Sequence, residues 1–295
     1  MKKNISREEE EILDSPIFVV GSGRSGTTWL QKLLLEHPQI AGGQESEFFI
    51  HFSSCLSSIK SNKKSQRKLG LSVYWDELEL HDFILDAWRR TFLSMLRQKP
   101  QATLLAEKTP NHALYMNEIA QFLPHAKFIH IIRDSRAVVA SMRAAEKGWG
   151  KSWAPRTTTA AAAKWKKSIR KALSSGRNMS PDKYIEVHYE DLLANTPDEL
   201  AKIYSFLNLQ YDSNLLETVI KKQGLNAQKS VNGSGFLDYR GDELNEPDGF
   251  FRKGKSNSWK QDLNLFQKII TWLYTRHLMK VCGYSWAGRT SLSKR

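Results

Sequence analysis

The sequence predicts an α/β fold: a single domain with a central parallel sheet flanked by helices. Short apolar runs alternate with longer stretches of helical period along the chain, the order that builds a parallel sheet. No linker-like stretch or internal repeat divides the 295 residues, and 40% hydrophobic content is enough for one sizeable core. The domain is expected to run from 1 to 295, with 1–14 and 288–295 as flexible ends.

Ile17–Val20 is a run of four apolar residues and reads as a buried strand. Helix Thr27–Glu36 carries Trp29, Leu30, Leu33 and Leu34 on one side and is stopped by Pro38. A loop leads to Phe48-Phe49-Ile50, and Leu56–Leu69, rich in Ser and Lys, reads as an exposed loop. Asp76–Leu96 is a long amphipathic helix with Leu80, Phe83, Ile84, Ala87, Trp88 and Phe92 on one stripe. Thr103–Ala106 is a short strand, Ala113–Phe122 a helix ending before Pro124, and Lys127–Ile132 a buried strand. Ser135 is expected to cap the helix that runs to Ala145. Thr157–Ser174 is an alanine-rich basic helix closed by Ser175-Gly176, and Tyr184–Val187 is a further strand. Pro197 opens helix Asp198–Phe206. Gly224–Trp259 has little periodicity and reads as a long functional loop, after which helix Asp262–Val281 closes the fold.

Composition narrows the function classes. No apolar run approaches the roughly 18 residues of a membrane span, and the first residues lack the apolar core of a secretory leader. Two cysteines, Cys55 and Cys282, are too few for a disulfide framework, and a cytoplasmic setting is expected. Lys and Arg number 44 against 31 Asp and Glu, a net charge of +13. That balance suits nucleic acid, but no helix-turn-helix, zinc-ligand or RNA-recognition pattern accompanies it. A polyanionic nucleotide, and an anionic acceptor, suit the same charge.

The most informative stretch is Gly21-Ser22-Gly23-Arg24-Ser25-Gly26-Thr27-Thr28-Trp29, directly after the first strand. Glycines let the backbone turn sharply and aim several N–H groups into one hollow. The helix that opens at Thr27 adds its partial positive charge, so the hollow suits a phosphate-like anion. The spacing is that of a nucleoside-triphosphate P-loop, except that Thr27 occupies the lysine slot and the loop's cation, Arg24, comes three residues earlier. A second strand-to-helix junction places Arg133 at the carboxyl end of its strand and Ser141 two helical turns on. Open α/β sheets bind ligands at that end, and an Arg and a Ser so placed can grip one phosphate.

The loop Gly-x-x-Arg-Ser-Gly-Thr-Thr, comprising Gly21, Arg24, Ser25, Gly26, Thr27 and Thr28, resembles the 5′-phosphosulfate loop of sulfotransferases. These enzymes use 3′-phosphoadenosine-5′-phosphosulfate (PAPS) and release its desulfonated product, PAP. Three further blocks resemble the family in the same order. Arg133 and Ser141 match the pair that binds the 3′-phosphate. Tyr189, in Tyr189-Glu190-Asp191, and Trp29 match aromatics near the adenine, and either reads equally as core. Arg252-Lys253-Gly254 with Trp259-Lys260 matches the segment that closes over the 3′-phosphate, with Asn257 replacing its second glycine. The resemblance implies a P-loop-NTPase-like sulfotransferase fold and sulfonate transfer without a metal. It also implies cofactor contacts from Gly23 through Trp29.

For catalysis the resemblance assigns Arg24 to charge stabilisation and Lys108 to a cation beside the sulfonate. Members acting on small phenols carry Lys-Thr-His, but here Pro110 follows Lys108-Thr109, with His112 close by. Members acting on glycans and protein tyrosine use a Glu soon after the first helix; Glu45 fits best, with Glu47 next. The neighbouring Phe48-Phe49 is expected to bury that glutamate in part. The implied function is sulfonate transfer to a hydroxyl, amine or guanidine of a small-molecule acceptor. The alternatives are a nucleotide kinase, which lacks its lysine here, and a nucleotide-binding module without turnover. Acceptor choice is expected to lie in loops Ser53–Ser72, Gly148–Thr157 and Asn226–Glu246.

Overall fold

The computed structural model describes residues 4–52, 73–223, 233–237, 243–245, 247 and 256–289. Five strands make one parallel sheet: β1 (Ile17–Gly21), β2 (Ile40–Gly42), β3 (Leu104–Glu107), β4 (Lys127–Ile132) and β5 (Tyr184–His188), in the spatial order β2-β3-β1-β4-β5. β1 lies at the centre, with Ile17 opposite Lys127 and Gly21 opposite Ile131. Its side chains alternate between two cores. Phe18 and Val20 face one with Phe49, Trp88 and Phe128, while Ile17 and Val19 face another with Leu30, Leu33 and Ile129. Both faces of the sheet are thus covered, which is why the strands read as continuous apolar runs.

Helices pack on both sides. α2 (Thr27–Leu35) follows β1; α3 (Glu77–Arg97) opens at a capping box formed by Asp76 and Glu79 and buries Leu80, Ile84, Trp88 and Phe92. α4 (Met116–Phe122), α5 (Ser135–Glu146) and α6 (Thr158–Gly176) follow, then α7 (Tyr189–Ala194), α8 (Thr196–Phe206) and α9 (Ser213–Gln223). α10 (Trp259–Asp262) and α11 (Leu265–Val281) close the chain against α5 and α6. Two hairpins complete the described structure: β6 (Gly233–Leu237) with β7 (Glu243–Asn245), and β8 (Tyr284–Ser285) with β9 (Gly288–Arg289). The first of these falls within the stretch expected to be a loop. Among the described residues no helix is long and apolar enough to cross a membrane.

Several expectations are corrected. Residues 7–14, expected to be a flexible end, form α1 (Arg7–Asp14), because Ser6 and Glu9 build a reciprocal capping box. The Trp88 indole then donates to the Leu13 carbonyl at 2.7 Å, and Arg89 pairs with Asp14. Residues 288–289 belong to a hairpin, and Arg289 bonds Asp191 at 2.8 Å. Asp134, not Ser135, caps α5: its carboxylate accepts from the Arg136 N–H, while the Ser135 hydroxyl pairs with Thr275. The helix expected over Ala113–Phe122 divides into a 3₁₀ turn, Pro110–Leu114, and α4, because Tyr115 leaves helical geometry between them. The Leu56–Leu69 loop and Cys55 lie outside the described residues.

Gly21 tests how tightly the sheet holds its first loop. A Cβ there would lie 2.6 Å from the Ile131 carbonyl oxygen, a backbone atom that cannot move aside alone. Gly21→Ala is expected to destabilise the protein by about 1–3 kcal/mol, the usual cost of overpacking. Chemical denaturation gives the value directly, and a change within 0.5 kcal/mol (about the scatter of surface substitutions) would show that the strands separate without cost.

Candidate active site at the carboxyl edge of the sheet

The loop after β1 is held from three sides. Ser25 N–H bonds the Ser22 carbonyl at 3.0 Å, and the Ser168 hydroxyl donates to the Gly21 carbonyl at 3.1 Å. Gly26 has φ +99°, and a Cβ there would come within 2.6 Å of the Tyr189 ring. Glycine alone meets both demands. Gly26 is also the N-cap of α2, and no side chain caps that helix. Its first N–H groups therefore have no side-chain partner from the cap position, the donor arrangement an anion suits, and Thr27 and Thr28 beside them are buried. Within the loop the Ser25 hydroxyl is fully buried and has no hydrogen-bond partner. Space beside Gly23 is open, with nothing within 4 Å of where a Cβ would stand.

Two arginines converge on this loop. Arg24 has φ +70°, a left-handed geometry that costs a non-glycine residue about 1 kcal/mol. Its Nε donates to the Ser141 hydroxyl at 3.1 Å, and its guanidinium lies 5.2 Å from the Trp149 ring centre. Arg133 donates to the Arg24 carbonyl at 3.2 Å and stacks 3.9 Å over the Tyr189 ring. Its buried Nε has no partner. Trp29 is buried, donates its indole N–H to the Gln223 carbonyl and meets Tyr189 edge to face at 5.6 Å. Trp29 and Tyr189 therefore brace the loop from beneath. Arg252, Lys253 and Gly254 lie outside the described residues.

Sequence reading missed the side chains that set this geometry. The Trp165 indole donates to the Arg133 carbonyl at 3.0 Å, and Ser168, one turn along α6, holds Gly21. Their i, i+3 spacing was the available signal. Glu190, partly buried, accepts from the Asp134 N–H and the Tyr284 hydroxyl. Burial raises its carboxyl above the ordinary value, outweighing those two donors and the Arg133 charge.

The other half of the site is built on the ends of β2 and β3. Lys108, 1% exposed, bonds the Glu45 carboxylate at 2.6 Å, and Glu45 is 39% exposed. Phe48 and Phe49 turn into the core against Trp88, so they do not cover Glu45 as expected. Glu47 pairs loosely with His51 on the surface. Behind the pair lies Glu107, which accepts from His112 Nδ1 at 2.8 Å, Thr109 Oγ1 at 2.7 Å and Ser46 Oγ at 2.8 Å. His112 is fully buried, and its Nε2 accepts from the Phe49 N–H at 3.2 Å. Both ring nitrogens are engaged within the core. The geometry thus corrects the expectation of His112 as a catalytic base: it ties the Glu45–Phe49 segment to β3. Burial alone would raise the Glu107 carboxyl, but His112, Thr109 and Ser46 outweigh it and hold it below the ordinary value.

A cavity of about 220 Å³ opens beside Ser22 and Gly23, between α6 and the 3₁₀ turn that follows Lys108. Among the described residues no cluster of His, Cys, Asp and Glu is placed to hold a metal ion.

A doubly covered parallel sheet with a glycine loop and helix start after its first strand is an open α/β scaffold of the kind that binds ligands at the carboxyl ends of its strands. The chain belongs to the sulfotransferase family: the family model, described as "Sulfotransferase family", matches residues 16–213. A putative protein-tyrosine sulfotransferase of Caenorhabditis briggsae is 30% identical over 203 residues, 68% of each chain. The omega-hydroxy-beta-dihydromenaquinone-9 sulfotransferase Stf3 of Mycobacterium tuberculosis is 25% identical, over 68% of this chain and 64% of its own. The match spans little more than half the length of several protein-tyrosine sulfotransferases, 58% in that of Danio rerio. Mouse sulfotransferase SULT7A1, solved with PAP, superposes with a TM-score of 0.57 at 17% identity, over 93% of this chain and 90% of its own. The sulfotransferase domain of the Synechococcus PCC 7002 olefin synthase gives 0.53 at 20% identity, over 89% and 94%. These two likenesses are of fold.

The Glu107 network carries its own pH dependence. A carboxyl depressed in the folded state contributes stability above its ordinary value of about 4.5, and that contribution is lost as pH falls below it. Glu107→Gln is expected to lower stability at pH 7 by about 2–4 kcal/mol, because His112, Thr109 and Ser46 lose a buried charged acceptor. Denaturation across pH 3–7 (about the range of linkage for such a group) should show the variant and wild type converging towards acid. Parallel curves would mean that the fold leaves the Glu107 carboxyl at its unfolded-state value.

Proposed function

We propose that the chain transfers a sulfonate group from PAPS to a hydroxyl of a small-molecule acceptor, releasing PAP. The observation that carries this reading is the convergence of Arg24, Arg133 and Ser141 on an uncapped helix N-terminus. The orphaned, buried Ser25 hydroxyl and Arg133 Nε fit a ligand with two separate anionic groups. Mouse sulfotransferase SULT7A1, of like fold, is solved in complex with PAP. The curated relatives are named for tyrosine and omega-hydroxy acceptors, which favours a hydroxyl oxygen over nitrogen. A kinase reading lacks the phosphate-binding lysine, since Thr27 stands in its place.

The donor supplies a sulfonate already activated by its link to phosphate. The loop N–H groups, Ser25, Thr27 and Thr28 hold the 5′-phosphate. Arg133 and Ser141 hold the 3′-phosphate, aided by Arg252, Lys253 and the Gly254 N–H; Trp29 and Tyr189 support the base. Arg24 stabilises charge developing on the bridging oxygen. It does so as a fixed cation, since a guanidinium keeps its proton below pH ~12. Glu45 takes the acceptor's proton as the new O–S bond forms and the S–O bond to phosphate breaks, and Lys108 steadies the sulfonate oxygens in transit. Glu45 is favoured over Glu47 by its contact with Lys108, and over His112 because both nitrogens of that ring are engaged. The cytoplasmic setting rests on the two-cysteine content.

Calorimetry with a chelator present tests the cofactor. PAP is expected to bind and AMP to bind far more weakly, with Arg133→Ala losing about 2–4 kcal/mol of PAP affinity. Equal affinities for PAP and AMP would remove the 3′-phosphate assignment.

Glu45→Gln is expected to keep PAP affinity while turnover falls by about 10²–10⁴-fold. Glu47→Gln serves as the control. Should the control lose more activity than Glu45→Gln, the base is misassigned.

A further inference from the structure

The cavity beside the loop carries charge that the chemistry above does not use. Lys164 and Lys167 line it, three residues apart on one face of α6. Among the described residues neither lysine has a carboxylate partner, whereas most surface arginines of this chain do. Lys164 is more than half enclosed, and burial lowers its ammonium with no acid offsetting the effect. Keeping an ammonium partly desolvated and unpaired is costly unless an anion completes it. The rest of the lining is partly apolar, Ile50, Leu114 and Tyr115, with Asn111 among them.

An aromatic ladder connects this cavity to the reacting centre. Arg24 lies 5.2 Å from Trp149, Trp149 is 5.4 Å from Trp153, and Lys164 lies 5.2 Å from Trp153. Ser22 and Gly23 form one rim of the cavity, and Asn111 comes three residues after Lys108. A molecule in the cavity therefore lies beside the loop that carries Arg24 and meets two lysines that have no carboxylate partner among the described residues. At about 220 Å³ the space suits a small organic molecule.

We propose that the acceptor is a small hydroxy acid whose carboxylate is held by Lys164 and Lys167 while its hydroxyl faces Glu45 and Lys108. The proposal rests on the sulfotransferase reading of the site and adds the acceptor's charge to it. The apolar part of the lining takes the acceptor's carbon skeleton, and Asn111 offers the carboxylate or its neighbour a hydrogen bond. A neutral acceptor would leave Lys164, half-buried, with only the Trp153 ring as its partner among the described residues.

The test compares small hydroxy acids, from lactate to 4-hydroxyphenylacetate, with their neutral amides, and tyramine as a cationic probe. Binding to PAP-saturated protein is followed by ligand-detected NMR. The acids are expected to bind at least about tenfold more tightly than the amides, as for a charge-assisted contact. Lys164→Met/Lys167→Met should erase that preference, and Lys164→Glu/Lys167→Glu should invert it towards tyramine, with PAP affinity unchanged in both. Equal binding of acids and amides, or binding of neither, overturns the proposal. A parallel loss of PAP affinity in the variants also overturns it, since the lysines would then belong to the cofactor. Failure of wild-type protein to bind PAP would instead count against the cofactor reading. The acid-to-amide comparison on free protein would still decide the acceptor's charge.

Discussion

Parallel strands end on the same edge, and that constraint assembles the site. Arg24 lies three residues past the end of β1 and Glu45 three past the end of β2. Lys108, Arg133 and Tyr189 each stand one residue past β3, β4 and β5. Residues far apart in sequence thereby meet along one line, without any single loop having to be long. The sheet order places β1 between β3 and β4, so the anion loop sits between the Lys108 side and the Arg133 side. Close backbone approach at Gly21 fixes the loop's height above β4, and Tyr189 under Gly26 fixes its tilt. Arg24 can then hold a left-handed backbone, because Ser141 and Arg133 bond it on both sides.

The two halves of the site rest on different physics. On the Arg133 side, positive groups lie against aromatic rings and backbone carbonyls, which orient a guanidinium without neutralising it. On the Glu45 side, a buried carboxylate organises its neighbours by accepting hydrogen bonds. Glu107 collects donors from β3's own continuation and from the segment after β2, so Glu45 and Lys108 are carried on two chains tied at one point. Removing a charge from that point costs more than removing one from the surface, because its partners have no water to turn to.

What was legible in the sequence follows from locality. The apolar runs of β1 and β4, the capping residues of α3 and the glycine loop are short-range signals, and their bounds came out within about two residues, the usual uncertainty of helix and strand ends. Arg133 and Ser141 were legible because one strand-helix junction contains both. β2 was missed because three residues carry no usable period, and α1 because its capping box was read as part of a charged tail. Ser135 lost its place as N-cap to Asp134 through a tertiary contact, Thr275, that sequence spacing does not encode. The role of His112 was hidden for the same reason: only the fold places it against Phe49 and Glu107. Burial of Glu45 by Phe48-Phe49 failed because neighbours in sequence need not face the same way.

The charge surplus acquires a location once the fold is known. Arg89, Arg90, Arg97, Arg177 and Arg289 each meet an acid, and the more exposed of these pairs, at Arg90, Arg97 and Arg177, contribute little, about 0–1 kcal/mol apiece. The described cations that meet a ring or a carbonyl in place of an acid include Arg133 at the loop and Lys164 in the cavity. Lys108 is the intermediate case, a buried ammonium whose one acidic partner is half exposed. An ammonium has three donors, so in the proposed reaction Lys108 keeps its bond to Glu45 while meeting sulfonate oxygens. Among the described residues, cations without an acid partner also lie elsewhere, Lys147, Lys166 and Lys280 among them, but Arg133 and Lys164 stand beside the loop after β1, where the parallel strands end.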